Sequence, residues 1–344
     1  MKIALIGLQQ AGKRTLFSLL TSRTIPESRK PGESVEGVAR IYDPRVDNLA
    51  KMFNPKKTVY AENLYVLCPD CTQDSGNIDW LNSARKADLI CIVIRDFKSD
   101  QVYHPLKTID PERDINIIES ELLLADMQII EKRLVRINKE KKAGQSAEQK
   151  LEEGVLHKCM ETLEKSVWLS KLELTAQENT SIKSLDLVTR VPSLKIYNVS
   201  ENDLNKFNGK PNSVSVSCQI EREIMDIKEP AERIEFAKSM GLELTGLERV
   251  NNAAYDAMGL MSFYTTGTDE CRAWTIRKGS KAPTAGGKIH TDIERGFIRV
   301  EVMKYNDLMA AGSEHAVKEQ GKLHTFGKDY VIEDGDICHF LFNV

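Results

Sequence analysis

Nine residues near the start of this 344-residue chain, Gly7-Leu8-Gln9-Gln10-Ala11-Gly12-Lys13-Arg14-Thr15, have the types and spacing needed to hold a polyphosphate. Two glycines with four residues between them let backbone N–H groups turn inward on an anion, and the lysine after the second glycine reaches its outer phosphates. One residue departs from the pattern. The usual loop carries Ser or Thr after the lysine, with a hydroxyl that ligates Mg²⁺, whereas the Arg14 guanidinium has no lone pair to offer a metal. The Thr15 hydroxyl lies one residue further, about 100° around a helix, and is expected to point elsewhere. Arg14 beside Lys13 could place a fixed charge where the ion normally sits, or it could turn outward and pair with a surface acid.

Such a loop works only between a strand and a helix, where the helix N-terminus adds positive potential. The flanks supply both: the apolar run Ile3-Ala4-Leu5-Ile6 precedes it, and Leu16, Phe17, Leu19 and Leu20 follow at helical spacing. Further short apolar runs at Leu64 to Leu67, Leu89 to Ile94, Leu194 to Val199 and Val214 to Val216 read as buried parallel strands of a doubly wound α/β domain. From about Asn116 to Leu185 the period changes. Leu123, Met127, Ile130, Leu134 and Ile137 recur at four and three, and Leu156, Met160, Leu163 and Val167 resume after Ala143-Gly144-Gln145-Ser146, which predicts an antiparallel helical hairpin inserted in the α/β domain. Its first arm carries six basic and two acidic residues between Glu131 and Lys142, a surplus of four that reads as a solvated face or as a contact for RNA phosphates. Beyond about Met261 strands shorten and turns crowd in, with strands expected at Arg272 to Ile276, Gly296 to Val302, Asp329 to Ile332 and Cys338 to Phe342.

With 48 basic and 51 acidic residues the chain is no general polyanion binder, and residues 260–344, with 11 Lys and Arg against 12 Asp and Glu, are no different. RNA recognition by that tail would rest on shape and a few groups such as Lys288, His290 and Arg299. Seven scattered cysteines suggest a reducing compartment. No basic and apolar leader precedes Lys2 and no apolar run is long enough to span a bilayer, so a cytoplasmic protein without a membrane partner is expected. Cys68-Pro69-Asp70-Cys71 is a Cys-x-x-Cys with Cys91 on the next expected strand, so a redox dithiol or a zinc site is a competing reading, although no second pair or nearby His completes four ligands.

The tail carries a resemblance. Arg272-Ala273-Trp274-Thr275-Ile276, Ala285-Gly286-Gly287-Lys288-Ile289-His290-Thr291-Asp292, Arg295-Gly296-Phe297-Ile298-Arg299 and Asp334-Gly335-Asp336 resemble the C-terminal TGS domain of the YchF family, the Obg-like ATPases. The likeness runs through Asp43-Pro44-Arg45, Ile109-Asp110-Pro111, the hairpin and Gly246-Leu247; it is strongest in the last 85 residues and weakest over residues 20–80. It implies a P-loop NTPase domain over residues 1–115 and 186–260, a coiled hairpin over 116–185 and a β-grasp TGS domain over 261–344. It also implies ATP as cofactor, with GTP second, and association with the ribosome or RNA through hairpin and tail.

Carried over residue by residue, the resemblance places Asn198 and Glu201 of Asn198-Val199-Ser200-Glu201 on the purine base, Ser217-Cys218 in the last base-contacting loop, and His104 at the family's mobile catalytic histidine. The metal-handling parts depart from it. Leu67-Cys68-Pro69-Asp70 stands where relatives have Asp-x-x-Gly, Pro31 corresponds to the first switch threonine, and Arg14 replaces the Mg²⁺ hydroxyl. Phosphoryl transfer leans on Mg²⁺ bridging the β and γ oxygens, so losing these contacts should slow chemistry more than binding. The expectation is a nucleotide-binding protein with weak or lost hydrolysis. A non-enzymatic ribosome or RNA scaffold is the alternative.

Overall fold

In a computed structural model the chain is described over residues 1–25, 32–71, 79–140, 144–207, 209–240, 242 and 244–343. Pro31, the expected switch position, lies outside the described residues. The chain divides into two units, Met1–Ala39 with Leu64–Ala254, and Arg40–Asn63 with Tyr255–Val344.

The first unit opens with β1 (Lys2–Ile6), whose residues Ile3 to Ile6 are fully buried, and α1 (Lys13–Thr21), followed by β2 (Val35–Arg40). The chain then passes through α2 (Pro44–Phe53) and β3 (Lys57–Val59), which belong to the second unit, and returns as β4 (Glu62–Leu67), α3 (Asp79–Ala84) and β5 (Leu89–Asp96). Helices α4 (Pro111–Glu140), α5 (Ala147–Glu164) and α6 (Ala176–Ile182) come next. Strands β6 (Ser193–Val199) and β7 (Ser213–Val216) and helices α7 (Cys218–Asp226), α8 (Pro230–Ser239) and α9 (Gly246–Ala257) complete the unit.

Its sheet runs β2-β4-β1-β5-β6-β7, and β1 pairs in parallel with both β4 and β5. The chain first builds outward on one side of β1 and then on the other, so the order reverses at β1. In open α/β sheets that reversal leaves a crevice at the carboxyl ends of the strands, where ligands bind. Leu89 to Ile94 are buried on both faces of β5, which is why that strand reads as an unbroken apolar run rather than an alternation.

The helical hairpin forms where the heptad spacing places it. Leu123, Ile130 and Ile137 of α4 pack with Val155, Leu156, Cys159 and Leu163 of α5, with Met127, Leu134 and Met160 at the margin. Ser146 and Gln149 cap α5 reciprocally, each side chain bonding the other's backbone N–H. Arg133 crosses to Glu152 with two bonds of 2.6 and 2.7 Å, and Arg136 bonds Glu140 at 2.9 Å. Two arginines of the basic run are therefore spoken for inside the hairpin, while Lys132 and Lys139 are exposed.

The second unit holds β8 (Leu260–Thr265), β9 (Glu270–Arg277), α10 (Ala282–Ile289), α11 (Thr291–Arg295), β10 (Phe297–Lys304), α12 (Tyr305–Ala311), α13 (Glu314–Glu319), β11 (His324–Phe326) and β12 (Asp336–Phe342) in a sheet ordered β11-β10-β12-β8-β9-β3. Both faces are covered. Phe263, Ile276, Val300, Val302 and Phe340 face one cluster with Ala282 and Ala285 of α10, while their neighbours Tyr264, Met303 and Ile337 face another with Val46 and Leu49 of α2. This explains why residues 40–63, read as part of the first domain, join the second unit: α2 covers a sheet face, and β3 extends the edge in parallel with β9, Lys57 opposite Glu270. Asp43 caps α2 by accepting from Arg45 N at 3.0 Å, and Arg45 in turn reaches Asp334 at 2.6 Å.

Asp329 to Ile332, expected as a strand, forms no strand and carries one isolated β-bridge, between Lys281 and Val331. Its backbone serves the loop before α10, with Ala282 N donating to Tyr330 O and Ile332 N to Ser280 O, so no ladder is left for it to extend. Helices α10 to α13 interrupt a segment whose sequence reads as β-rich; each has eight residues or fewer, too short for a helical period to emerge.

Candidate phosphate-binding site

Residues Gln9 to Thr15, together with Asp70, line a cavity of about 270 Å³ at the carboxyl end of β1. Backbone geometry makes the loop. Gly7, Gln10 and Gly12 all have positive φ, 152°, 64° and 97°. A side chain at Gly12 would meet Asn198 Nδ2 at 2.3 Å, and one at Gly7 would meet the Val93 carbonyl at 2.4 Å, so both glycines are required by close approach as well as by conformation. Helix α1 starts at Lys13 with no side chain capping it, which leaves its first N–H groups available to an anion.

Lys13 is only 3% exposed, and its Nζ donates to Gly7 O at 2.6 Å, Leu8 O at 2.9 Å and Asp70 Oδ1 at 2.6 Å. An ammonium has three N–H donors, and all three are in use. The third partner was not anticipated. Asp70 reaches the loop because the β1–β4 pairing continues past the strand ends: Cys68 N donates to Leu5 O at 3.1 Å, Cys71 N to Gly7 O at 3.0 Å, and Leu8 bridges Cys71. The signal was available in Leu67-Cys68-Pro69-Asp70. Against the Asp-x-x-Gly pattern the acid has moved three places along, from the residue closing β4 to the glycine's position.

Arg14 is exposed on the cavity wall and makes no hydrogen bond or ion pair among the described residues, so the expected alternative of a surface salt bridge is not what the structure holds. Thr15, expected to turn away, contributes to the same wall. Gln9 and Gln10 are exposed, and Ala11 is buried.

Asn198, at the end of β6, is buried and bridges two loops: its Nδ2 donates to Ala11 O at 3.2 Å, and its Oδ1 accepts from Cys218 N at 3.1 Å. The amide that the resemblance places on a base thus ties the phosphate loop to the start of α7, with one hydrogen and one lone pair to spare. Ser217 is buried and caps α7 by accepting from Ile220 N, and Glu201 is exposed in the turn after β6. Cys218 is buried, and desolvation pushes its thiol up to about 12.

His104, carried over as the mobile catalytic histidine, is packed away from the cavity in this structure. It is 4% exposed and does not line the cavity; its Nδ1 accepts from Leu106 N at 3.1 Å. That leaves Nε2 to donate to Asp114 Oδ2 at 2.9 Å. Both ring nitrogens are committed to the fold, and none is left for an attacking water.

Cys68 and Cys71 are both buried and form no disulfide, and burial pushes the Cys71 thiol up to about 12 against the pull of Lys13. No cluster of three or more His, Cys, Asp or Glu side chains suited to a metal occurs among the described residues. The geometry gives the pair to packing beside the loop. A larger hollow of about 590 Å³ runs along the start of α4 past Asp110, Glu112 and Glu121, an acidic wall that would repel a polyphosphate.

The loop's chemistry fits a phosphate group: turned-in amides, a helix N-terminus and a cation. It does not fit Mg²⁺ held as a P-loop usually holds it. Leu67, fully buried in the sheet, has no ligand atom in its side chain, and Arg14 has no lone pair.

A family model described as YchF-GTPase_C, a protein of unknown function (DUF933), matches residues 260–343. The chain is similar to the ribosome-binding ATPase YchF of Escherichia coli O157:H7, 36% identical with 100% of this chain and 99% of the relative covered, and to that of Bacillus subtilis (strain 168), 35% identical over 99% and 98%. Among solved structures, that of the Schizosaccharomyces pombe YchF GTPase matches with a TM-score of 0.81 at 29% identity, covering 99% of this chain and 97% of the other. A P-loop sheet with an inserted hairpin and a TGS-like C-terminal unit, matched end to end at this identity, places the chain in the YchF family.

Proposed function

We propose that this chain is a purine-nucleotide-binding protein that acts at the ribosome and hydrolyses nucleotide weakly or not at all. One observation carries the reading: a phosphate loop held open by two glycines presents Leu67 and Arg14 where side chains that hold Mg²⁺ would stand, and Arg14 is exposed on its wall with no partner among the described residues. The relatives, named as ribosome-binding ATPases, support both the nucleotide and the ribosome. Loop amides, Lys13 and the α1 N-terminus would hold the phosphates. Arg14 would add a charge-assisted contact in the metal's stead, and Asn198, with Glu201 nearby in sequence, would meet the base. Without a divalent ion to neutralise the γ-phosphoryl oxygens, and with His104 locked to Asp114, turnover has little to drive it. The hairpin and the TGS-like unit are the surfaces offered to the ribosome or its RNA.

A second reading is favoured by the saturation of Lys13: a scaffold that docks on the ribosome and never loads nucleotide. Calorimetric titration of ADP, ATP and GTP, each with Mg²⁺ and with EDTA, separates the two. Binding that survives EDTA and weakens about tenfold in Arg14→Ser supports the nucleotide reading. Strict Mg²⁺ dependence, unaltered in Arg14→Ser, would remove the arginine-for-metal argument. Ribosome co-sedimentation that ignores nucleotide altogether would favour the scaffold.

A further inference from the structure

We propose that Asp70 is a built-in surrogate for the terminal phosphate, so that the site takes a nucleoside diphosphate in preference to a triphosphate. The inference rests on the nucleotide-binding reading above and names the ligand that reading leaves open.

The argument is a count of donors. In a phosphate loop the backbone amides cradle the α and β phosphates, and the lysine serves the outermost ones. Here two of the Lys13 donors are bound by the loop's own carbonyls, Gly7 O and Leu8 O, and the third by Asp70 Oδ1 at 2.6 Å. The amides remain open to two phosphates. A third phosphate would find its cation already neutralised by a carboxylate standing on the cavity wall. To enter, it must either displace that carboxylate from Lys13 or lie against it, and two anions that close repel.

The rest of the wall agrees. The cavity of about 270 Å³ is at the small end for a ligand pocket and suits phosphates rather than a whole nucleotide. Its formal charge is one positive overall, Lys13 and Arg14 against Asp70, which tolerates a diphosphate better than a more highly charged triphosphate. Asp70 is held in position by backbone bonds on both sides, Cys68 N to Leu5 O and Cys71 N to Gly7 O, so the carboxylate is presented by the fold and not by a wandering side chain. Its side chain is 34% exposed, so it meets solvent and would meet a ligand.

The test is equilibrium binding of ADP and ATP to the full chain in EDTA and in Mg²⁺, for the native protein and for Asp70→Asn and Asp70→Gly. Asparagine keeps the shape and removes the charge, and glycine restores the family's residue. Circular dichroism confirms that each variant is folded. The native chain is expected to bind ADP at least about tenfold more tightly than ATP in EDTA, and both variants to bring the two within about threefold, mainly by gaining ATP affinity. Binding of both nucleotides at a ratio that neither variant changes would overturn the proposal and leave the nucleotide reading standing. So would tight ATP binding that appears only with Mg²⁺ and vanishes in Asp70→Asn, since that would make Asp70 a metal ligand. No binding of either nucleotide, by the native chain or by folded variants, would overturn the nucleotide reading itself, and this inference with it.

Discussion

Two side-chain contacts to a carboxylate in the first unit look alike on paper and differ in what they leave free. Lys13 meets Asp70 at 2.6 Å, and His104 meets Asp114 at 2.9 Å. Asp114 is closed on every side: His104 Nε2 takes one oxygen, Arg113 takes the other with two bonds of 3.0 and 2.8 Å, and its side chain is 4% exposed. Asp70 keeps 34% of its side chain exposed and faces a cavity. The His104–Asp114 pair is part of the frame. The Lys13–Asp70 pair joins a buried cation to a surface that a ligand can reach. Function is therefore better read from the spare capacity of a polar group than from its residue type, since a histidine with both nitrogens bonded has less to offer than an aspartate with an oxygen near water.

Three changes would sharpen or break that contrast. Lys13→Ala should have the largest effect, lowering ADP affinity about a hundredfold, or roughly 2.7 kcal/mol, in a calorimetric titration. Unchanged affinity would mean that the cavity is not the site. His104→Ala should destabilise the fold by about 2 kcal/mol in a urea titration, because Leu106 N loses its acceptor and Asp114 a buried donor, while nucleotide affinity stays within about twofold. A variant that folds as well as the native chain but loses residual phosphate release would return His104 to catalysis and dissolve the contrast. Asp70→Asn should move folding stability least, by less than about 1 kcal/mol in the same titration, since a partly exposed ion pair contributes little. A loss as large as that of His104→Ala would place Asp70 with Asp114 as a closed, structural pair.

Much of the architecture could be read from residue order because its physics is local. Ile3 to Ile6, Gly7 to Thr15 and the helical run after them announce strand, loop and helix, and the structure has β1, the loop and α1 there. The four-and-three spacing of Leu123 to Ile137 announces α4, and Ser146 with Gln149 marks the start of α5. The partnership of α2 and β3 with the C-terminal sheet could not be read this way. Residues 44–59 meet their neighbours near Glu270 and Ile337 across more than two hundred positions, and no local period encodes such a distance.

The same division runs through the site. Glycine spacing and the lysine after it are enough to specify a phosphate loop, because backbone conformation and helix polarity follow from a handful of adjacent residues. Whether a polar group in that loop is free or engaged depends on atoms from elsewhere in the chain: a carboxylate 57 residues away on Lys13 and an amide 187 residues away on Ala11. Hydrogen-bond capacity is spent in space and not along the chain. That is why residue order could name the loop, while the packing of β4 beside β1 decided that an aspartate would stand in it.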